Sequence, residues 1–415
     1  MKLNSQLLSF FLILLFPFYS WGQEKNNSLK LENLGIYKDS LNKMNNYFHS
    51  LVDKDSLAGI QTAVMKNGEL IHFDSYGYAD IENREKIDEK SIFRIFSMTK
   101  PIVSVALMQL YEEGKFNLSD PVHKFIPEFR MMNKYEDDSL VKVHEPIKII
   151  HLLTHTSGFS HGRVSNQFLK KNYQEAQLFQ AKNNKELADK LSRIPLQFEP
   201  GTDWQYGLST ALCGYLVEVL SGTTLDKYLE EHIFKPLEMK DTFFELPKGK
   251  MKHLTVGYKW SKERGVFISD VPEDSGYSKK VTLFHGGGGL LSTTLDYLKF
   301  CKMMRDKGVY NGRKVLEKST VALIFTNHIE QATKIQSKLR LPPGEGGFGL
   351  GFAIRKNNTG ELENVYGWGG LAGTFFKINM DLDLIYVLMV QLYPHGHLNL
   401  RKKFQNYVES SVIKN

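Results

Sequence analysis

A chain of 415 residues with 42% hydrophobic and 24% charged residues has the make-up of a globular protein, which excludes a disordered one. The formal net charge of +7 is spread thinly. Its densest clusters, Lys170-Lys171, Lys279-Lys280 and Arg401-Lys402-Lys403, read as solvated surface, too short for a nucleic-acid or polybasic membrane face. The N-terminus opens with Met1-Lys2-Leu3-Asn4, an apolar run from Leu7 to Phe18, and then Ser20-Trp21-Gly22. That order predicts a signal peptide over residues 1–22, cleaved before Gln23. The apolar run falls short of the ~20 residues a membrane-spanning helix needs. The expectation is an exported protein, periplasmic or extracellular, with no stable membrane span after cleavage.

Residues 23–33 read as a flexible lead-in to one large domain over 34–412. Leu34, Tyr37, Leu41, Met44, Phe48 and Leu51 recur at helical spacing. Two strand-like runs, Gly59 to Met65 and Glu69 to Phe73, flank Asn67-Gly68, a hairpin signal. The stretch from about 110 to 280 is mainly helical in pattern and reads as a second lobe. Arg340 to Gly347, with two prolines and three glycines, is the best candidate for a mobile loop. Strand patterns return at Gly347 to Arg355, Thr374 to Met380 and Leu384 to Leu392, before a last helix from about Leu398 to Ser411. Strands at both ends imply one antiparallel sheet with flanking helices, an α+β architecture. Cys213 and Cys301 each sit in apolar runs and read as buried free thiols.

Three stretches carry chemistry. Ser97-Met98-Thr99-Lys100-Pro101 precedes an apolar helical run, and Pro101 keeps that helix from starting much before Ser97. Ser97 therefore lies near a helix N-terminus, with Lys100 about one turn on, an arrangement suited to an activated nucleophile. Tyr206 follows the Pro200-Gly201 turn and precedes an amphipathic helix from Ala211 to Leu220. Tyr366 to Thr374, immediately before a strand, contains Trp368-Gly369-Gly370, where backbone can approach a ligand and free amides can hold an oxyanion.

In this order the three features resemble the serine β-lactamase and penicillin-binding protein superfamily, with its Ser-x-x-Lys, Tyr-containing and Lys-Thr-Gly-type motifs. His151 to Phe159, Gly286 to Thr294 and Gly347 to Phe352 are similar to further stretches of that family, and the class C-like branch containing the family VIII carboxylesterases is the nearest match. The resemblance implies a β-lactamase/transpeptidase-like fold, with Ser97 attacking a carbonyl and Lys100 and Tyr206 sharing base and acid duties. It also implies an oxyanion held by the amides of Ser97 and Leu371. Two positions depart from the pattern: Leu208 stands where β-lactamases carry Asn, and Trp368-Gly369-Gly370 stands in place of Lys-Thr-Gly. Loss of that lysine and hydroxyl removes a carboxylate-binding pair, so a carboxylesterase acting on small or medium esters ranks ahead of a D-amino-acid peptidase, a weak β-lactamase or a catalytically silent binding protein. The partner implied is a small-molecule ester or amide.

No cofactor is expected. His151 and His155 are four apart, but Leu152 occupies the place of a zinc peptidase's Glu, so structural histidines are expected and no metal. His285 precedes four glycines without the Gly-Lys-Ser/Thr of a phosphate loop, and His395-Gly396-His397 reads as a surface turn.

Overall fold

A computed structural model describes residues 31–162, 164–329 and 341–413. The predicted signal peptide and most of the lead-in lie outside these residues. At residues 31–33 the chain is already helical, and Ile36 bridges to Val412, so the two ends of the domain meet.

The first helix, α1, spans Lys38–Asp53 and buries Leu41, Met44, Phe48 and Val52 along one stripe. Strands β1 (Gly59–Lys66) and β2 (Glu69–Asp80) form the expected hairpin. Asn67 and Gly68 both take positive φ, 50° and 80°, which is why Asn-Gly suits a tight two-residue connection. A short β3 (Glu85–Lys86) closes one edge.

Helix α2 (Thr99–Glu112) is buried on nearly every side and packs on α3 (Ser209–Ser221) at the centre of the helical region. Its Pro101 sits in the first turn, where no amide donor is required. Helix α4 (Thr294–Arg305) returns to the sheet. The C-terminal part supplies β4 (Glu345–Phe348), β5 (Ala353–Lys356), β6 (Leu362–Gly369), β7 (Phe375–Asn379) and β8 (Leu384–Met389), then α5 (Leu400–Ser410). The eight strands pair antiparallel in the order β4-β5-β6-β7-β8-β1-β2-β3. The architecture is α+β, one antiparallel sheet with flanking helices, as the sequence implied.

Strand β8 explains the continuous apolar run in its sequence. Leu384, Tyr386 and Leu388 point to one core, shared with α1 and α5. Ile385, Val387 and Met389 point to the other, shared with α2, α4 and the helical region. Both faces of the sheet are covered, so alternation disappears from the pattern while it persists in space.

The structure differs from the sequence expectation in four places. Two hairpins, Asn133–Glu136 with Ser139–Lys142 and Gly257–Ser261 with Gly265–Asp270, interrupt the helical region; their strands are only four to six residues long and largely half-buried or exposed. The single strand expected from Gly347 to Arg355 is a hairpin of β4 and β5, broken at Gly351, whose φ of 87° and contact with Ser104 exclude a side chain. Of the expected mobile loop, Arg340 lies outside the described residues and Glu345 to Gly347 belong to edge strand β4. The stretch from Tyr366 to Thr374 does run directly into β7, but its first residues, Trp368 and Gly369 among them, lie on β6, a strand the sequence pattern did not show. Cys213 and Cys301 are buried and unpaired with each other, as read from sequence.

Candidate active site

Ser97 lies in a single 3-10 turn, Phe96–Met98, that runs directly into α2. Tyr297 Oη donates to Met98 O (2.8 Å) and Leu290 N donates to Thr99 Oγ1 (3.1 Å), fastening the turn from behind. Phe96, just before the serine, holds φ 44°, a left-handed value that costs a bulky residue about 1 kcal/mol or more. Phe96 and Ser97 are both half-buried at this kink, while Ile95 and Met98 on either side of the pair are buried.

Lys100 is 2% exposed, and its Nζ donates to Ser97 Oγ (3.2 Å) and to Gly287 O (2.5 Å). The glycine-rich Gly286 to Gly289 is therefore the lysine's second holder, a role that sequence inspection did not assign. Among the described residues no carboxylate pairs with Lys100. Two imidazoles lie near it instead, His155 buried and His285 half-buried. Burial, then the nearby lysine charge, pushes His285 down to about 3 and His155 well below the usual histidine range, so both are neutral at pH 7.

Tyr206 lies on the irregular segment before α3, half-buried, with its ring centroid 4.7 Å from Lys100 Nζ. The segment is fastened to the His155–Ser160 loop: Gln205 N donates to His155 O, Gly201 N donates to Thr156 O, and a side chain on Gly207 would strike Phe159 O. Around the phenol stand the rings of His155, His161 and Trp368, each with its centroid 5.0 Å away. Trp368 Nε1 donates to Tyr206 Oη (3.3 Å).

The structure thus gathers Ser97, Lys100, Tyr206 and Trp368. Leu208 is 1% exposed and offers the site only hydrocarbon, while Gly369, Gly370 and Leu371 carry the chain from β6 into a turn that abuts the serine's segment. A side chain on Gly370 would lie 2.5 Å from Ile95 O, two residues before the serine. The tip residue Leu371 is 41% exposed, and its amide meets no acceptor among the described residues.

The histidines set aside in the sequence have distinct fates. His151 Nδ1 accepts from Lys148 N (3.1 Å), a helix-start contact. His155 was expected to be a satisfied structural histidine, yet neither ring nitrogen has a partner among the described residues; it is held by packing against Trp204, Tyr206 and Phe348. His397 stacks on Trp260 (3.8 Å) in a short turn. Arg401 was read as one of three solvated cations, and this is wrong. Lys402 and Lys403 are exposed, but Arg401 turns inward to Gly370 O and the ring of Phe375.

With the serine, lysine and tyrosine on one wall and the β6 turn beside them, comparison with known proteins is informative. The β-lactamase family profile matches residues 44–404. The chain belongs to the β-lactamase family. Members similar to it include Protein Rv1367c of Mycobacterium tuberculosis, 29% identical over 82% of this chain and 88% of that protein. Esterase EstB of Burkholderia gladioli is 32% identical over 48% of this chain and 50% of its own length. Among solved structures, EstCE1, a hydrolase with promiscuous acyltransferase activity, superposes with a TM-score of 0.72 at 22% identity, covering 91% of this chain and 99% of its own. The family's serine hydrolases have esterase, acyltransferase, carboxypeptidase and β-lactamase relatives.

Proposed function

We propose that the protein is an exported serine hydrolase, a carboxylesterase on small or medium esters, working through an acyl-enzyme on Ser97. The observation that carries this reading is the buried Lys100 Nζ, 3.2 Å from Ser97 Oγ and without a carboxylate to hold its charge. Ser97 Oγ attacks the ester carbonyl carbon while its proton passes to the Lys100 amine. The resulting oxyanion lies against the amides of Ser97 and Leu371. Collapse breaks the ester C–O bond, and the leaving alkoxide takes a proton through the Tyr206 hydroxyl. Water then attacks the acyl carbon, its proton passing through the Tyr206 hydroxyl to Lys100; the bond to Ser97 Oγ breaks, Oγ takes the proton back from Lys100, and the acid is released. The apolar N-terminal stretch supports export.

Preference for uncharged esters rests on Leu208 and Trp368. A buried leucine cannot orient a polar acyl amide, and the Trp368 indole is turned to Tyr206 instead of presenting a cation. One observation favours the peptidase or β-lactamase reading: the Arg401 guanidinium lies against Gly369. A panel of p-nitrophenyl acetate and butyrate, a chromogenic cephalosporin and a D-Ala-D-Ala peptide separates the two. The esters should turn over with kcat/KM at least tenfold above the others, and Ser97→Ala should reduce ester turnover by at least about 10³-fold. Preferential cleavage of the peptide or cephalosporin sinks the esterase assignment, and undiminished ester turnover by Ser97→Ala sinks the nucleophile.

A further inference from the structure

Arg401 stands in the first turn of α5, more than 300 residues from Ser97 in sequence, yet it reaches the same turn of backbone. Its guanidinium donates to Gly370 O. The fit is close: a side chain on Gly369 would come within 2.5 Å of Arg401 Cζ, and one on Gly370 within 2.1 Å of Thr374 Oγ1. Gly369 is therefore what allows the arginine to lie against this strand end, while Gly370 makes room for Thr374 and the Ile95 carbonyl. Burial brings the guanidinium down to about 10, an effect partly offset by the Tyr206 phenol. Among the described residues no carboxylate pairs with Arg401, and its Nε has no acceptor. A buried unpaired cation is costly, and such groups concentrate where function requires them.

Its one strong acceptor, Gly370 O, belongs to the same peptide group as the Leu371 amide. A trans peptide is planar, and its C=O and N–H point in opposite directions. Fixing the carbonyl toward α5 turns the Leu371 N–H the other way. The other contacts brace the same loop: Gly370 N donates to Thr374 O (2.8 Å) and Leu392 N donates to Ala372 O (3.0 Å). Gly373 N also reaches Gly370 O, at 3.3 Å, a longer bond within the turn, so that carbonyl has two holders and the Arg401 guanidinium is the closer one.

We propose that Arg401 is a positioning residue that orients the Gly370–Leu371 peptide so that the Leu371 amide is presented to the developing oxyanion. It acts through the backbone and touches no substrate. The inference rests on the oxyanion role given to Leu371 above.

The test compares wild type with Arg401→Ala and with Gly369→Ala, which keeps the arginine and displaces it. Circular dichroism and Tm establish folding for each. Loss of one oxyanion donor predicts a fall in kcat on p-nitrophenyl butyrate of about 10²–10³-fold, with KM within threefold. Affinity for a trifluoromethyl ketone, which forms a tetrahedral adduct, should fall in parallel. Methylguanidinium should restore part of the kcat of Arg401→Ala and none of that of Gly369→Ala. If Arg401→Ala does not fold, Gly369→Ala alone decides by its kcat and ketone affinity. Folded variants with kcat within threefold of wild type, or a defect confined to KM, overturn the positioning role; the latter makes Arg401 a direct substrate contact. Failure of the underlying reading is seen separately: wild type would then not be labelled at Ser97 by a fluorophosphonate.

Discussion

Among the described residues two lysines are almost wholly buried, Lys100 at 2% and Lys377 at 1% exposure, and they have opposite company. Lys377, on β7, meets the Glu345 carboxylate of β4 at 2.7 Å, an ion pair tying the edge of the sheet to its centre. Lys100 has a serine hydroxyl and a peptide carbonyl, with two neutral imidazoles beyond. A buried lysine held by a carboxylate is a closed electrostatic unit, whereas one held by a hydroxyl and a carbonyl has its amine directed at the serine. The difference in partners sets the two lysines apart, although both are equally hidden.

Substitution should divide the two cleanly. Lys100→Met, which matches the stem and removes the amine, is expected to lower kcat/KM on p-nitrophenyl butyrate by about 10³-fold or more, the range of a lost general base. Thermal stability of that variant should hold or rise. Lys377→Met leaves Glu345 buried and uncompensated, and should cost about 3–5 kcal/mol, read as a Tm fall of about 6 °C or more. Its ester kcat at 20 °C should stay within threefold of wild type. A Lys377→Met, Glu345→Gln double variant should recover much of the lost stability. Equal losses of activity in both single variants would erase the distinction.

The neutral imidazoles add a smaller, pH-dependent effect. Burial holds His72, His151 and His395 at about 4 and His285 at about 3 in the folded chain, below the ordinary value near 6.5. Each favours the folded state fully above pH 6.5, and that contribution is lost as pH falls toward the folded value. Tm should therefore decline by about 5 °C or more between pH 7 and pH 4.5. His285→Asn should reduce that decline, and an unchanged slope would remove His285 from the account. The smallest effect is expected at Leu208→Asn, which puts an unpaired amide into a buried apolar place. It should cost about 1–3 kcal/mol of stability and leave butyrate hydrolysis within tenfold.

Local chemistry was legible in the sequence wherever backbone demands were local. Asn67-Gly68 announces its hairpin, and Pro101 dates the start of α2 relative to Ser97. Strand β6 was hidden because Gly367 and Gly369 read as loop residues. Their true reasons are distant: a side chain at 367 would lie 2.2 Å from Phe376 O, and one at 369 would strike Arg401. The same holds for the site. Ser97, Lys100 and Tyr206 stand in recognisable motifs, but the Gly287 carbonyl and the Arg401 guanidinium carry no local signature. Arg401 in particular shares a short basic cluster with two exposed lysines, and only the turn of a helix separates its role from theirs. The positive φ of Phe96 is likewise invisible in a residue type that seldom adopts it.

The account stands most directly on the identity of the nucleophile. Incubating the full-length protein with a fluorophosphonate and mapping the adduct by peptide mass spectrometry should find one phosphonylated residue, Ser97, with labelling abolished in Ser97→Ala and strongly slowed in Lys100→Met. An adduct at any other residue, or unchanged labelling in Ser97→Ala, would contradict it.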